Sequence, residues 1–366
     1  MFIAIGMLFL LVYGAIVFYI GWSGWSWMKP KLSQRFRLVY GIVLAFLASS
    51  FILARVFPGS ALLNVVGSYW LAAFSLLALL LPVVHLVVWL TRLTPLPRHR
   101  VQKWAGSVTL ALLVFFIAFG SFNAYSPTVR AYEIHIDKKG PESGKLTIAM
   151  ASDMHFGYLS GRNHAKRLVE ELNALKPDIV LFPGDLIDDD IVPYKEKGIG
   201  ELLARIEAPY GVYASLGNHD KFDGEMEELI ALLEESGMTV LYDESVVVGE
   251  WLTLIGRRDK SDEERAELAE LTEGLDPEKP LFLLDHQPLG YDIARRLGVD
   301  LVVSGHTHRG QIAPGNLITK RLFDNDWGYL RMDQLHSVVS SGYGFWGPPI
   351  RIGSRSEIAL IQVTFG

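Results

Sequence analysis

Four apolar runs, each long enough to cross a bilayer, precede Tyr125, and this feature narrows the possible architectures most. They occupy about 1–22, 38–57, 67–91 and 104–123. A helix of about 20 apolar residues spans the ~30 Å hydrocarbon core and satisfies its own backbone hydrogen bonds there. The spacing predicts a four-helix transmembrane region over 1–125 and a separate domain over 126–366. The first run lacks a basic leader, is longer than a typical signal-peptide core and is followed by three more spans, so it is expected to be retained.

Charge divides the chain at the same place. Residues 1–125 hold nine of the 34 Lys and Arg and none of the 40 Asp and Glu, leaving 25 bases against 40 acids in 126–366. The first part is therefore formally +9 and the second −15. So acidic a domain has no electrostatic footprint for nucleic acid, although bound cations would reverse the sign locally. Lys29, Lys31, Arg35 and Arg37 lie between the first two runs, and Arg92, Arg98, Arg100 and Lys103 between the last two. The remaining loop has only Arg55 at its edge. By the positive-inside rule the two basic loops are cytoplasmic, which predicts a multi-pass cell-membrane protein with an extracytoplasmic second domain. Trp22, Trp25, Trp27 and Trp104 near span ends suit an interfacial belt, and His85 is expected to make an interhelical hydrogen bond rather than a site. Cysteine is absent, which excludes disulfides and thiolate ligands.

After Ser126 and Pro127 the pattern alternates between strands and helices. "AYEIHIDKKG" reads as a strand turning at Gly140, with His135 structural. "KLTIAMASDMHFG" is a strand ending at Asp153 and His155. "NHAKRLVEELNALKPDIVLFPGDLIDDD" reads as an amphipathic helix stopped at Pro177, a buried strand and a run of acids, with His164 at the helix start expected to face solvent. "YGVYASLGNHD" is a strand opening at Gly217 to Asp220, and "EMEELIALLEESGM" is a helix. "PLFLLDHQP" ends at Asp285 and His286, and the helix "YDIARRLG" leads into "VDLVVSGHTHRGQ". The order describes an α/β domain whose site gathers beyond the carboxyl ends of strands.

Asp153, His155, Asp185, Asn218, His219, His286, His306 and His308 all fall at such exits and include half of the ten histidines. Oxygen and imidazole donors without thiolates suit divalent Mn, Fe, Zn, Co or Ni, and a carboxylate can bridge two such ions. Neighbouring glycines let short side chains converge.

In order and spacing, "DMH", "GDLID", "GNHD", His286 and "GHTH" resemble the motif series of the calcineurin-like metallophosphoesterases. The similarity runs over about 145–365, and the tail "SSGYGFWGPPIRIGSRSEIALI" resembles the membrane-associated bacterial branch. The resemblance implies a four-layer α/β/β/α sandwich and two divalent metal ions. One ion would be held by Asp153, His155, Asp185 and His308, and the second by Asp185, Asn218, His286 and His306, with Asp185 bridging. It further implies hydrolysis of a phosphate mono- or diester by metal-activated hydroxide. His219 is then the candidate to stabilise the transition state or protonate the leaving oxygen, with Asp220 orienting its ring or else capping the next helix. Asp188 is expected to support the site rather than ligate.

One position departs from the pattern. Arg309 stands where Gly is usual, and it either reaches an anionic group or points to solvent; Arg257 and Arg258 are further candidates for anion contact. Four spans exceed what a tether needs, which suggests a phospholipid or lipid-linked substrate at the membrane surface. The aromatic loops around Trp327 and Trp346 either line a lipid groove or pack on their own domain. The competing reading is a metal-loaded, non-catalytic binding or receptor module for a phosphorylated ligand; it would be marked by a lost ligand, and every motif position is filled.

Overall fold

A computed structural model describes residues 2–28, 33–57, 59–220 and 226–366. Lys29 and Lys31, on which part of the orientation argument rests, lie outside the described residues, as does Glu225 of the expected helix. The chain divides into two compact units, Met1–Ser121 with Gly347–Pro349, and Phe122–Trp346 with Ile350–Gly366.

The four apolar runs form α1 (Phe2–Met28), α2 (Gln34–Val56), α3 (Ala61–Leu90) and α4 (Arg98–Tyr125). All four are long and apolar enough to cross a membrane. Gly67 lets α3 approach α2 closely, since a Cβ there would sit 2.8 Å from Phe51 Cα. Such small-residue contacts are how helices associate where lipid removes the hydrophobic drive. Polar groups are satisfied across helices: Tyr13 donates to the Ala48 carbonyl at 2.6 Å, and Trp70 Nε1 donates to the Tyr13 hydroxyl at 2.7 Å. His85 Nδ1 lies 2.6 Å from the Tyr19 hydroxyl, an interhelical bond of the expected kind.

The second unit opens with β1 (Thr128–Ile136), β2 (Lys145–Met150), α5 (Arg162–Leu175) and β3 (Ile179–Pro183). Next come α6 (Val192–Glu196), α7 (Ile199–Leu203), β4 (Val212–Ser215), α8 (Met226–Glu235) and β5 (Met238–Val240). The chain continues through β6 (Glu244–Val248), β7 (Leu252–Gly256), α9 (Leu268–Thr272), β8 (Leu281–Leu284), α10 (Tyr291–Arg296) and β9 (Leu301–Ser304). It closes with α11 (Asn316–Leu322), β10 (Gly328–Met332), β11 (Leu335–Val339) and β12 (Glu357–Phe365).

The strands form two six-stranded sheets, ordered β1-β12-β2-β3-β4-β5 and β10-β11-β9-β8-β7-β6. The alternation of side chains along each strand builds the layers. On β2, Leu146, Ile148 and Met150 enter a core shared with Leu254, Phe282 and Val303 of the other sheet. Ala149 faces the opposite way, into a core with Leu168 and Leu172 of α5 and Leu229 of α8. On the far side Ile255, Leu283 and Val302 pack against Leu268, Tyr291 and Ala294 of α9 and α10. The result is the four-layer α/β/β/α sandwich.

One expectation fails here. α5 buries His164, Ala165, Leu168, Val169 and Leu172, a single stripe at helical spacing, so His164 is a core residue and not a solvent-facing one. Its ring lies 4.4 Å from that of Tyr343.

Candidate metal centre

The motif residues leave the carboxyl ends of β2, β3 and β4 in one sheet and of β8 and β9 in the other. Their backbones are bent hard. Asp153, His155, Asp185, His306 and His308 have φ of 52°, 44°, 54°, 70° and 46°. Left-handed conformation costs a non-glycine residue about 1–3 kcal/mol and persists only where neighbours over-determine it. Here the exits are laced together: Asp153 N–H donates to the Gly184 carbonyl and His155 N–H to the Asp185 carbonyl, each at 3.1 Å. Gly217 and Gly305 make room for the carboxylates, because a Cβ would fall 2.1 Å from Asp185 Oδ1 in one case and 2.2 Å from Asp153 Oδ2 in the other.

The donor atoms converge. His308 Nε2 lies 3.2 Å from His155 Nε2 and 3.4 Å from Asp153 Oδ1. Asp185 Oδ2 lies 3.0 Å from His286 Nε2 and 3.7 Å from His155 Nε2, so this carboxylate faces both halves of the cluster. His306 Nδ1 lies 2.9 Å from Asn218 Oδ1. Two sets, Asp153–His155–His308 and Asp153–Asp185–His286, each bring their ligand atoms within 4.8 Å of one another.

His286 tests whether these residues fit a cation. Its Nδ1 lies 2.9 Å from the Pro183 carbonyl, which only accepts, so the ring proton sits on Nδ1. Nε2 is then a lone pair, buried, without a hydrogen bond, and aimed at the Asp185 carboxylate. A lone pair against an anionic oxygen is repulsive unless a positive centre stands between them, and a divalent cation meets that need. Without one, the same geometry drives a proton onto the ring: burial works against protonation, but the Asp185 carboxylate outweighs it and holds the His286 pKa well above its ordinary value. For Asp185, burial acts to raise the pKa, and His286, His155 and His219 together override it and hold it below the usual carboxylate range.

His219 stands beside the cluster, its ring 5.0 Å from that of His155 and its N–H donating to Asp185 Oδ1 at 2.9 Å. The acid that orients it is not Asp220. His219 Nδ1 pairs with Asp189 Oδ1 at 2.6 Å, whereas Asp220 is buried and accepts the N–H groups of Ile187 at 2.9 Å and Gly217 at 2.8 Å. Asp220 thus ties the "GNHD" turn to the exit of β3. Burial opposes protonation of His219, but the Asp189 hydrogen bond and the Asp185 charge outweigh it and raise the pKa to about 9. Burial, then the nearby Asp185 charge, pushes Asp220 up to about 7. Asp188 Oδ1 lies 3.6 Å from His155 Nδ1, within reach of the site but beyond hydrogen-bond length.

The arginine expectations divide. Arg257 pairs with Asp285 at 3.6 Å and donates to the Ala266 carbonyl. Arg258 pairs with Asp243 at 3.4 Å and Glu264 at 3.2 Å and lies over Tyr242. None of these partners belongs to the cluster, and both guanidinium groups brace the chain between β7 and α9. Arg309 Cζ lies 3.7 Å over the Trp327 ring, whose Nε1 donates to Glu357 Oε1 at 3.0 Å. Trp346 is 48% exposed and lies 5.5 Å, ring to ring, from His219.

Two residues escaped the sequence reading. Asp189 is hidden among three consecutive acids, and only its left-handed φ of 58° shows that the chain aims it specifically. Arg351, in the polar-looking tail, is completely buried. It donates to the carbonyls of Gly344 at 2.7 Å and Gly342 at 3.3 Å and to His308 Nδ1 at 3.1 Å. Burial, then this guanidinium, holds the His308 pKa well below its ordinary value and keeps the ring neutral, as ligation requires. Because guanidinium only donates, the metal-free ring carries its proton on Nε2, where a bound cation would displace it.

The chain is similar to proteins of one family. The family model described as calcineurin-like phosphoesterase matches residues 146–310. A Helicobacter pylori protein named as an uncharacterized metallophosphoesterase is 34% identical over 260 residues, covering 69% of this chain and 68% of its own. A Danio rerio transmembrane protein with metallophosphoesterase domain is 32% identical over 273 residues, covering 69% of this chain and 61% of its own. Among solved structures, TT1561 of Thermus thermophilus aligns with 54% of this chain and 89% of its own at 14% identity and a TM-score of 0.38. The chain belongs to the calcineurin-like metallophosphoesterase family and is a phosphoric ester hydrolase with membrane-length helices.

Proposed function

We propose that the protein is a membrane-anchored, two-cation phosphoesterase whose substrate is a phosphate mono- or diester of a lipid or lipid-linked alcohol, met on the extracytoplasmic side. The observation that carries the two-cation reading is Asp185, whose Oδ2 faces His286 at 3.0 Å and His155 at 3.7 Å. In this reading Asp153, His155, Asp185 and His308 hold one ion, and Asp185, Asn218, His286 and His306 the other. Such a pair supplies neutralisation of the phosphoryl oxygens and a water whose pKa falls from ~15.7 toward ~7.

The side chains do the rest. His219, held at Nδ1 by Asp189, offers its Nε2 proton to the leaving oxygen. Its neighbour Trp346, 5.5 Å away ring to ring and 48% exposed, offers an apolar surface to a leaving alcohol. The His219–Asp189 pair supplies a proton donor, which favours the catalytic reading over a non-catalytic module. The four spans, and basic residues concentrated in the first and third loops, support an outward-facing domain acting on the surface of its own membrane.

The test is hydrolysis of generic aryl mono- and diesters by the purified protein after chelation and add-back of Mn, Fe, Zn or Co, beside Asp185→Asn and His219→Ala. Activity that returns with metal and falls in both variants supports the hydrolase; tight metal binding with no turnover of either ester would move the binding module ahead. A C-terminal topology reporter tests orientation, and a cytoplasmic signal there removes the argument for an extracytoplasmic substrate.

A further inference from the structure

The acidic domain carries a misplaced surface. Among the described residues of 126–366, the three most exposed large apolar side chains are Leu322 at 67%, Ile318 at 62% and Leu317 at 58%. All three belong to the seven-residue α11, which buries none of its residues. Lys320 and Arg321 share that outer face, and neither has an ion-pair or hydrogen-bond partner among the described residues. Water gains nothing from exposing three leucine-class side chains together, and scattered single exposures elsewhere on the domain show that the rest of the surface avoids it.

We propose that the outer face of α11 is a membrane-interface anchor, with Leu317, Ile318 and Leu322 entering the acyl boundary and Lys320 and Arg321 meeting anionic headgroups. Three observations select a bilayer over a protein. The exposed face of α11 itself carries +2, ahead of Asp324 and Asp326, on a domain that is −15 overall, and those two cations complement an anionic surface. Lys320 and Arg321, set between Ile318 and Leu322, have long stems that let charge stay at the headgroups while the shorter apolar side chains go deeper. Finally, only Ser126 and Pro127 separate α4 from β1, which ties the domain by a two-residue link to a helix long and apolar enough to cross a bilayer.

The consequence reaches the metal centre through a short path. α11 is fixed to the domain by Thr319, whose hydroxyl donates to Asp326 Oδ2 at 2.8 Å. The residue after the helix, Phe323, sets its ring edge-on to the metal-ligand candidate His306 at 6.0 Å. An anchored α11 would therefore hold the cluster beside the lipid surface, whatever ester is cleaved there.

The absence of native cysteine permits a direct test on the full chain. Ile318→Cys, labelled with an environment-sensitive fluorophore, is reconstituted in vesicles of phosphatidylcholine with a minority of phosphatidylglycerol, beside the exposed control Glu263→Cys. Quenching by lipids carrying a spin label near the headgroup end of the acyl chain should be at least about twofold stronger at 318 than at 263. Leu317→Glu with Leu322→Glu should remove the difference, and metal content, unchanged, would show that the domain is still folded. Equal quenching at the two positions overturns the anchor. A blue-shifted but unquenched label at 318 also overturns it, because the face is then covered by a protein or by a second copy of the chain.

Discussion

The two regions of this molecule bury opposite things. In the helical region Phe18 is 74% exposed and Leu11 69%, while Ser23 and Ser50 are fully buried. In the second unit Phe182 and Phe282 are fully buried, and polar side chains gather at the strand exits. The inversion follows from the solvent each region meets: a bilayer rewards apolar surface and leaves polar groups to pair inside, whereas water rewards the reverse. Composition over a long window therefore reveals the first region, since every residue votes. In the second, a few residues in costly conformations carry the chemistry, and a single substitution should matter far more there.

The largest effect expected is at Asp185. Asp185→Asn removes the charge that faces both halves of the cluster, and kcat/KM for generic esters should fall at least about 10³-fold with loss of bound metal measured by elemental analysis. A variant that kept its full metal complement would break the bridging assignment. His219→Ala should retain metal yet lower kcat by about 10²–10⁴ for alkyl leaving groups. The loss should shrink for 4-nitrophenol, which departs without a proton. An equal loss for both leaving groups would rule out a proton-donor role.

Asp189 separates structure from sequence more finely. Asp189→Asn weakens the partner of His219 and should cost about 10–100-fold in kcat, as for a hydrogen bond to a charged group. Asp220→Asn, which can still accept a backbone N–H, should cost less. The reverse order would restore Asp220 as the orienting acid.

The α/β alternation and the strand-exit residues were readable because both repeat simple rules, whereas the four-layer sandwich and the two-ion ligand set came only with the family resemblance. Alternation along β2 and the stripe on α5 mark layers, and Asp or His directly after an apolar run marks an exit. The residues that local pattern leaves unread depend on a partner far away in the chain. Nothing local distinguishes Asp189 from Asp188 or Asp190, and nothing near Arg257 and Arg258, candidates for anion contact, shows that Asp285 and Asp243 stand beside them. Arg351 went unread because no local pattern announces that a tail will fold back over His308. His164 is different: the stripe that buries it was present in the sequence, and its place at the helix start outweighed the periodicity.

The helical region should absorb its own lesions. Gly67→Val would push a side chain into the Phe51 backbone and separate α2 from α3, costing roughly 1–3 kcal/mol of stability in detergent while bound metal stays constant. Parallel loss of metal would show that the contrast between the regions is too sharply drawn.

The smallest effect concerns His164, where the domain's dry interior meets a titratable ring. Burial lowers its pKa from 6.5 to about 4, a contact with Tyr343 partly offsets this, and the charges of Arg167 and Arg351 add to the lowering. Above pH 6.5 the ring is neutral in both folded and unfolded chains and stability is unaffected. As pH falls below 6.5 the unfolded chain takes up a proton that the folded domain refuses, so stability declines until about pH 4, where both states are protonated. One pH unit below 6.5 the deficit should be about 1 kcal/mol. His164→Phe keeps a ring against Tyr343 and removes the titration, so unfolding midpoints of the metal-loaded variant should fall less than wild type between pH 7.5 and 5.5. The metal ligands titrate equally in both proteins and cancel in that difference. Identical slopes would mean that the ring opens to water before the domain unfolds, and that the stripe on α5 is less dry than its packing implies.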